Sequence, residues 1–435
     1  MRIKRGQEIL MLGLFILIFI AIRSIHYIYH LNFSGDQASF SIKALEILRN
    51  KKLVLIGPPI SINLGGRQLF QGPATYYMFL IFLVFGKLDP ACASYLFMLF
   101  CALMIIPLYY GVKLLLGFPY ALVMLVVYTF TPYYINYTRF LWNPTFQFSL
   151  IPLLILLMGV FSRKKSSAIF LTISFFLGIL LQFHYQFILI ILSLFIYYFL
   201  VVKVKPTWII LFFLGIVLGF SPIIIFELRN QFYNLNTAIL FLKNYNRLDR
   251  PGGQNTSHYY ISLSFLFILG ILALWQKFIT FIANDKKRFL KMPFYFHRKR
   301  LFFIFLISLT LVLFVQSAQK NFRRPQTSFW AFTENWNYPA EVKVYNIIKS
   351  TGLKNYNIAN LAYDTLSLVQ KYLLKKDKVD INYDDYWHNQ YLFVINKDDQ
   401  YMNNPAYEVN TFKPSKLIKQ WPINERFTLY LLKRL

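Results

Sequence analysis

The sequence predicts a polytopic α-helical membrane protein ending in a small α/β domain, and three features of its 435 residues predict it. Apolar runs recur between residues 9 and 317, each near the ~20 residues that carry a helix across a bilayer. Lysine and arginine gather in short segments between those runs, where membrane proteins place them for orientation. Beyond residue 317 the composition shifts, and the tail holds 11 of the 18 acidic residues. A chain that is 57% hydrophobic and 19% aromatic carries more apolar surface than a soluble core of this length uses.

The first apolar run follows Met1-Arg2-Ile3-Lys4-Arg5-Gly6. It lacks a small-residue cleavage site and further spans follow at once, so it reads as a retained helix rather than a signal peptide. Basic clusters occur at Arg2/Lys4/Arg5, Lys113, Arg163-Lys164-Lys165, Lys203/Lys205 and from Lys277 to Arg300. Placing all of them in the cytoplasm requires an even number of spans between successive clusters. Nine spans satisfy that parity, near 9–29, 91–112, 118–136, 144–161, 167–183, 187–202, 207–226, 259–282 and 300–317. The stretch 73–87 is short for a span and would break the parity, so it is expected to lie in the outer interface. The loop 30–90, the connection 137–144, the loop 227–258 and everything from 318 onward then face outside.

A formal charge of +28 suits a nucleic-acid partner, but many of these cations sit in loops between spans and serve orientation instead. Cys92 and Cys101 share one apolar segment and match neither a disulfide framework nor a zinc motif. His184 and His258 have no partners at ligand spacing, so no metal and no cofactor is expected. In the tail, 342–350 and 363–375 read as helices, and 357–361, 391–395 and 427–432 as strands. The expected division is a transmembrane domain over 1–317 and an extracytoplasmic α/β domain over 318–435.

The membrane portion has only seven acids: Glu8, Asp36, Glu46, Asp89, Glu227, Asp249 and Asp285. Glu8 and Asp285 fall on the cytoplasmic side, Asp89 before Pro90 suits a helix cap, and Asp249 sits in a local ion pair with neighbouring arginines. Asp36 lies just beyond the first span, in Phe33-Ser34-Gly35-Asp36-Gln37, and opens an amphipathic helix. From position alone it is either that helix's N-cap or a carboxylate at the membrane surface, where a lipid head group also lies.

Several motifs together resemble the GT-C membrane glycosyltransferases, in particular the protein O-mannosyltransferases and the lipid A aminoarabinose transferase. They are Gly35-Asp36 after the first span, Ala44-Leu45-Glu46-Ile47-Leu48-Arg49, and Gln71-Gly72-Pro73-Ala74-Thr75-Tyr76-Tyr77. Further along come Tyr137-Thr138-Arg139-Phe140-Leu141-Trp142-Asn143-Pro144, Gln182-Phe183-His184-Tyr185, Ser221-Pro222 and Phe226-Glu227-Leu228-Arg229-Asn230. The resemblance covers the first span to about residue 232 and, more loosely, the tail. It departs at Gln37, where the family often has Glu, at Asn143, where it has an acid, and near Gln71-Gly72, where a charged residue is common.

The resemblance implies a GT-C fold, a polyprenyl-phosphate sugar donor, and a base in the first outer loop, a role that falls on Asp36. The implied reaction is an inverting transfer to an outside lipid, glycan or protein acceptor, at the plasma or inner membrane. Such chemistry needs a base for the acceptor hydroxyl and cations for the departing phosphate. Arg139 is the first candidate cation, because a guanidinium grips phosphate oxygens in two places; the alternative is an interfacial anchor. Arg67, beside Gly65-Gly66, is a second candidate, and Arg229 a third. Asn143, His184, Gln182, Gln71 and Glu227 are candidate substrate contacts, since polar groups in so apolar a chain tend to mark sites; a hydrogen-bonding or ion-pair role is the alternative. The rival functions are a transporter or flippase and a polymerase or ligase of lipid-linked glycans.

The topology has a direct test. With Cys92 and Cys101 replaced by serine, a cysteine placed at 67 should react with a membrane-impermeant thiol reagent added to intact cells, and one at 164 should not. Reaction at 164 overturns the parity argument.

Overall fold

The computed structural model describes residues 4–247, 257–284, 298–328, 333–379, 385–397 and 404–435. The local ion pair expected at Asp249, the cytoplasmic Asp285 and part of the last basic cluster lie outside them. The described chain is mainly helical, with a small sheet near its C-terminus. It forms two compact units, each drawing on separated stretches. The first takes Met1–Ser24, Leu53–Met78 and Phe97–Phe322, and the second Ile25–Lys52, Phe79–Leu96 and Arg323–Leu435.

Helices stand at all nine expected span positions. Among the described residues, five are long and apolar enough to cross a membrane: Arg5–Ser24, Pro90–Leu116, Asn143–Lys164, Ile261–Thr280 and Phe302–Asn321. The chain is thus a multi-pass membrane protein. The expected span 207–226 is bent by 73° between Trp208–Gly219 and Ser221–Arg229. Pro222 there has no N–H for the carbonyl four residues earlier. The expected span 118–136 also breaks, into Phe118–Phe130 and Pro132–Tyr137, with Pro132 opening the second helix. The stretch 73–87 forms a helix of 12 residues, Ala74–Phe85. At ~1.5 Å per residue it falls well short of a ~30 Å hydrocarbon core.

Within the first unit, Ser167–Phe183 and Trp208–Gly219 pack closely through small residues. A Cβ on Gly219 would collide with the Phe175 carbonyl oxygen, and one on Gly178 with that of Ile216. Such contact is how helices gain van der Waals energy where lipid removes the hydrophobic drive between them.

The second unit contains the helix Gly35–Asn50 and the C-terminal sheet. The strand order is Tyr356–Asn360, Tyr391–Asn396, Thr428–Arg434, Ser415–Pro422, with the first pair parallel and the others antiparallel. One face buries Ala359, Leu392, Val394, Tyr430 and Leu432 with Val409 and Phe412. Three strands and one helix expected in the tail appear with shifted ends. The expected helix 363–375 begins only at Leu368. The strand Ser415–Pro422 was not expected: it is an edge strand, largely exposed on both faces, so it lacks the alternation that marks a strand in sequence.

Tail helices hold the Gly35–Asn50 helix. Phe33 packs against the rings of Tyr338 and Tyr372, at centroid distances of 6.0 and 5.5 Å. The hydroxyl of Tyr372 donates to the Leu88 carbonyl at 2.8 Å. At the far end, Lys375 pairs with Glu46 at 3.0 Å, and Arg49 donates to the Lys375 carbonyl at 2.7 Å. The half-buried ion pair and the single guanidinium–carbonyl bond add modestly, and the buried aromatic contacts carry more of the docking.

Overpacking tests the helix pair. Gly219→Val should cost roughly 1–3 kcal/mol and lower the thermal midpoint of the purified protein. Gly270→Ala is the control, since nothing lies within 4 Å of its Cβ position. Equal midpoints for the two variants would refute the close approach.

Candidate functional site

In the second unit, Asp36 is exposed in the first turn of Gly35–Asn50. The N-cap is Ser34, not Asp36. The backbone N–H and hydroxyl of Ser34 both donate to Gln37 Oε1, at 3.1 and 2.7 Å. The capping alternative for Asp36 therefore gives way, because Ser34 and Gln37 already close the helix end. Asp89, by contrast, is the cap expected of it, accepting from the Cys92 N–H at 2.8 Å.

Behind the Asp36 turn lies a small cavity of about 10 Å³, walled by Leu31–Ser34 and by Trp336, Tyr338, Glu341 and Tyr363. Glu341 is 2% exposed and accepts from Trp336 Nε1 at 2.6 Å, from the Tyr363 hydroxyl and from Gln370 Nε2. Burial pushes its carboxyl up to about 7, against the pull of those three donors. An open cleft of about 800 Å³ also has Tyr338 in its wall, with Tyr29, Asp89 and Lys343.

The first unit gathers most of the other expected residues. Pro59–Leu64 and Arg67–Phe70 form a hairpin around Gly65-Gly66. Gly65 and Gly66 take φ of +55° and +79°, the left-handed pair that a two-residue turn requires. Arg67 is exposed beside that turn. Gln71, Asn143 and Gln182, all buried, meet where the hairpin strand leaves. Asn143 Nδ2 donates to Gln71 Oε1 at 2.9 Å and to the Phe183 carbonyl at 3.2 Å. Gln182 accepts from the Ala74 N–H at 3.3 Å and donates to the Gly219 carbonyl at 2.7 Å. His184 is half-buried; its Nδ1 accepts from the Gln186 N–H at 3.4 Å. Glu227 receives the N–H groups of Asn234 and Leu235 at 3.1 and 3.0 Å, and Asn234 in turn holds Phe70. Arg229 is exposed at the end of its helix.

Arg139 is fully buried. Its Nε donates to the Arg23 carbonyl at 3.2 Å, Nη2 to that of Ile22 at 3.1 Å, and Nη1 to Asn321 Oδ1 at 2.6 Å. Those carbonyls belong to the last turn of Arg5–Ser24, where helices leave acceptors unpaired. Arg23, equally buried, reaches the other way. It donates to Thr138 Oγ1 at 2.6 Å and to the carbonyls of Tyr128 and Thr129 at 3.2 and 3.0 Å. The Tyr128 carbonyl lost its helical donor to Pro132.

Sequence reasoning did not single out Arg23, Glu341 or Tyr363. The one available signal for Arg23 was an arginine late in the first span, ahead of a proline break. Glu341 and Tyr363 lie in a tail with no legible motif, and only the fold brings them to Ser34.

Two solved structures of ArnT from Cupriavidus metallidurans match the chain, one bound to undecaprenyl phosphate and one in the apo state. The first has a TM-score of 0.56 at 11% identity, covering 96% of this chain and 97% of that one. The second has 0.57 at 12%, covering 98% of both. No protein-family model and no curated protein matches. At such identity the likeness establishes the fold, which is GT-C over nearly the whole chain.

Arg139 has a test that separates two tasks. If its fork serves the helix ends, Arg139→Lys should destabilise the protein by roughly 1.5–3 kcal/mol, because an ammonium cannot reach three divergent acceptors. The thermal midpoint reads this. An unchanged midpoint with weakened binding of a polyprenyl-phosphate sugar would instead assign the guanidinium to phosphate.

Proposed function

We propose that this chain is a membrane glycosyltransferase moving one sugar from polyprenyl phosphate to a hydroxyl outside the cytoplasm, with inversion and with Asp36 as base. The observation that carries the reading is the whole-chain GT-C likeness to a protein crystallised with undecaprenyl phosphate. The exposed carboxylate at residue 36, relieved of capping by Ser34, supports the choice of base.

In this mechanism the acceptor oxygen attacks the anomeric carbon as Asp36 takes its proton. The bond from that carbon to the phosphate oxygen breaks, and polyprenyl phosphate departs with the electron pair. One displacement inverts the centre. A phosphate is a good leaving group, so the protein supplies a base and cations rather than a covalent nucleophile. Arg67 and Arg229 are exposed and suit the phosphate. Arg139, whose donors meet carbonyls and Asn321, belongs to the frame in this reading. Gln71, Asn143, Gln182, His184 and Glu227 shape the outer end of the first unit, and His184 keeps enough exposure to touch a sugar. The acceptor is a lipid, glycan or protein, reached at the outer face of the plasma or inner membrane. In membrane terms the chain divides near residue 317, with nine spans before it and an extracytoplasmic domain after.

Asp36→Asn tests this assignment. The Ser34–Gln37 cap is untouched, so the variant should fold and bind a polyprenyl-phosphate sugar. Transfer should fall by about 10²–10⁴-fold, the usual loss on removing a general base. Transfer close to wild type from the purified variant would end the case for Asp36.

A further inference from the structure

We propose that Glu341 is a positioning residue for Asp36, acting through Tyr363 and the Tyr363–Asp364 peptide on the segment from which Asp36 projects. The inference rests on the reading of Asp36 as base and deepens it. It assigns the C-terminal domain a part in transfer.

Glu341, in the first turn of Tyr338–Ser350, gathers three donors from three places: Trp336 before its helix, Tyr363 after the first sheet strand, and Gln370 in the next helix. A buried carboxylate with every contact made fixes those elements together more firmly than apolar packing would, because each donor is costly to leave unmade. Tyr363 also walls the cavity whose opposite side is Leu31–Ser34, directly before the helix cap. Its neighbour Asp364 completes the link. A Cβ on Gly35 would sit 3.5 Å from Asp364 Oδ2, so this carboxylate rests on the backbone one residue before Asp36. Asp364 is itself held by the Leu368 N–H at 3.0 Å. Residues 34 to 36 thus lie against a wall that Glu341 keeps in place. Burial raises the Glu341 carboxyl, consistent with a group built in for its bonds rather than for charge on a surface.

Gln370 supplies a discriminating detail. Its Nε2 donates to Glu341, while its Oε1 is buried without a donor. In Glu341→Gln, the Gln370 amide can turn over and accept from the introduced amide, whose own oxygen still accepts from Trp336 and Tyr363. The frame survives with no carboxylate in it. Glu341→Ala removes the frame, and Tyr363→Phe removes one link while keeping the ring.

The experiment measures sugar transfer from a polyprenyl-phosphate donor and amide hydrogen exchange over residues 31–38 in all three variants and in Asp36→Asn. Glu341→Ala and Tyr363→Phe should each lower kcat by about ten- to a hundredfold, the effect of misplacing a reacting group by about 1 Å, with donor KM unchanged. Exchange over 31–38 should rise in both. Glu341→Gln should stay near wild type in kcat and exchange. Tyr363→Phe decides the matter if Glu341→Ala does not fold. Unchanged exchange in Tyr363→Phe, or raised exchange with unchanged kcat, overturns the proposal. So does a Glu341→Gln protein as impaired as Glu341→Ala, since that would make the carboxyl proton or charge essential. Full transfer by Asp36→Asn would overturn the function reading itself. That outcome is distinct from raised exchange without loss of kcat in the Glu341 and Tyr363 variants.

Discussion

A peptide group in a hydrocarbon environment must find its hydrogen-bond partner within the protein, and the first unit is organised around that requirement. Two prolines interrupt its apolar helices, at Pro132 and Pro222, and each removes a donor from the ladder. At Pro132 the missing donor is supplied by Arg23, whose guanidinium meets the carbonyls of Tyr128 and Thr129. Arg139 serves the last turn of the helix carrying Arg23 by meeting the carbonyls of Ile22 and Arg23. Each arginine thus serves carbonyls at a helix end other than its own: Arg139 that of Arg5–Ser24, and Arg23 that of Phe118–Phe130. Arg23 also stacks on the Phe19 ring at 3.3 Å, which shields a charge otherwise unfavourable to bury. An arginine suits this better than a lysine because its donors diverge in a plane.

The same requirement governs the end of that unit where the hairpin leaves. Gln71, Asn143 and Gln182 direct donors and acceptors at one another and at carbonyls released at helix ends. Glu227 closes the N-terminus of the helix Tyr233–Lys243, whose Asn234 ties down Phe70. These contacts fix the hairpin that carries Arg67 and leave its guanidinium exposed. The phosphate role proposed for Arg67 calls for a rigid mount and an open face, and the hairpin has both. The buried polar residues serve as that mount.

The helices were legible because apolar runs and basic loops are long-range signals that survive without any tertiary knowledge. Asp36 stood out as a candidate because acids are scarce before residue 318. Helix breaks were harder to read: Pro132 and Pro222 were visible, but the arginine that rescues a break lies about a hundred residues away. The cap at Ser34 was hidden by Asp36, an equally good capping residue two positions on. Gly65-Gly66 suggests flexibility in sequence, yet the flanking Leu64 and Arg67 pair across a tight turn. In the tail, Ser415–Pro422 escaped because an edge strand exposed on both faces shows no alternation. Glu341 escaped for a different reason, since nothing local to Tyr338–Ser350 reveals that Tyr363 and Gln370 converge on its first turn.

The second unit contains two acids with opposite qualifications for proton transfer. By proton affinity alone, Glu341 is the better general base, since a carboxyl pushed up to about 7 holds a proton far more readily than an ordinary one. It is also 2% exposed and enclosed by three donors, so no acceptor hydroxyl can reach it. Asp36 has the converse character. It stands exposed in the first turn of a helix, where a substrate hydroxyl can approach it. Displacement of a phosphate tolerates a weak base, because the leaving group carries much of the driving force. It does not tolerate a base in the wrong place. Reach therefore separates the two acids: Asp36 is exposed at the surface, as the proposed base requires, and Glu341 is enclosed by its three donors.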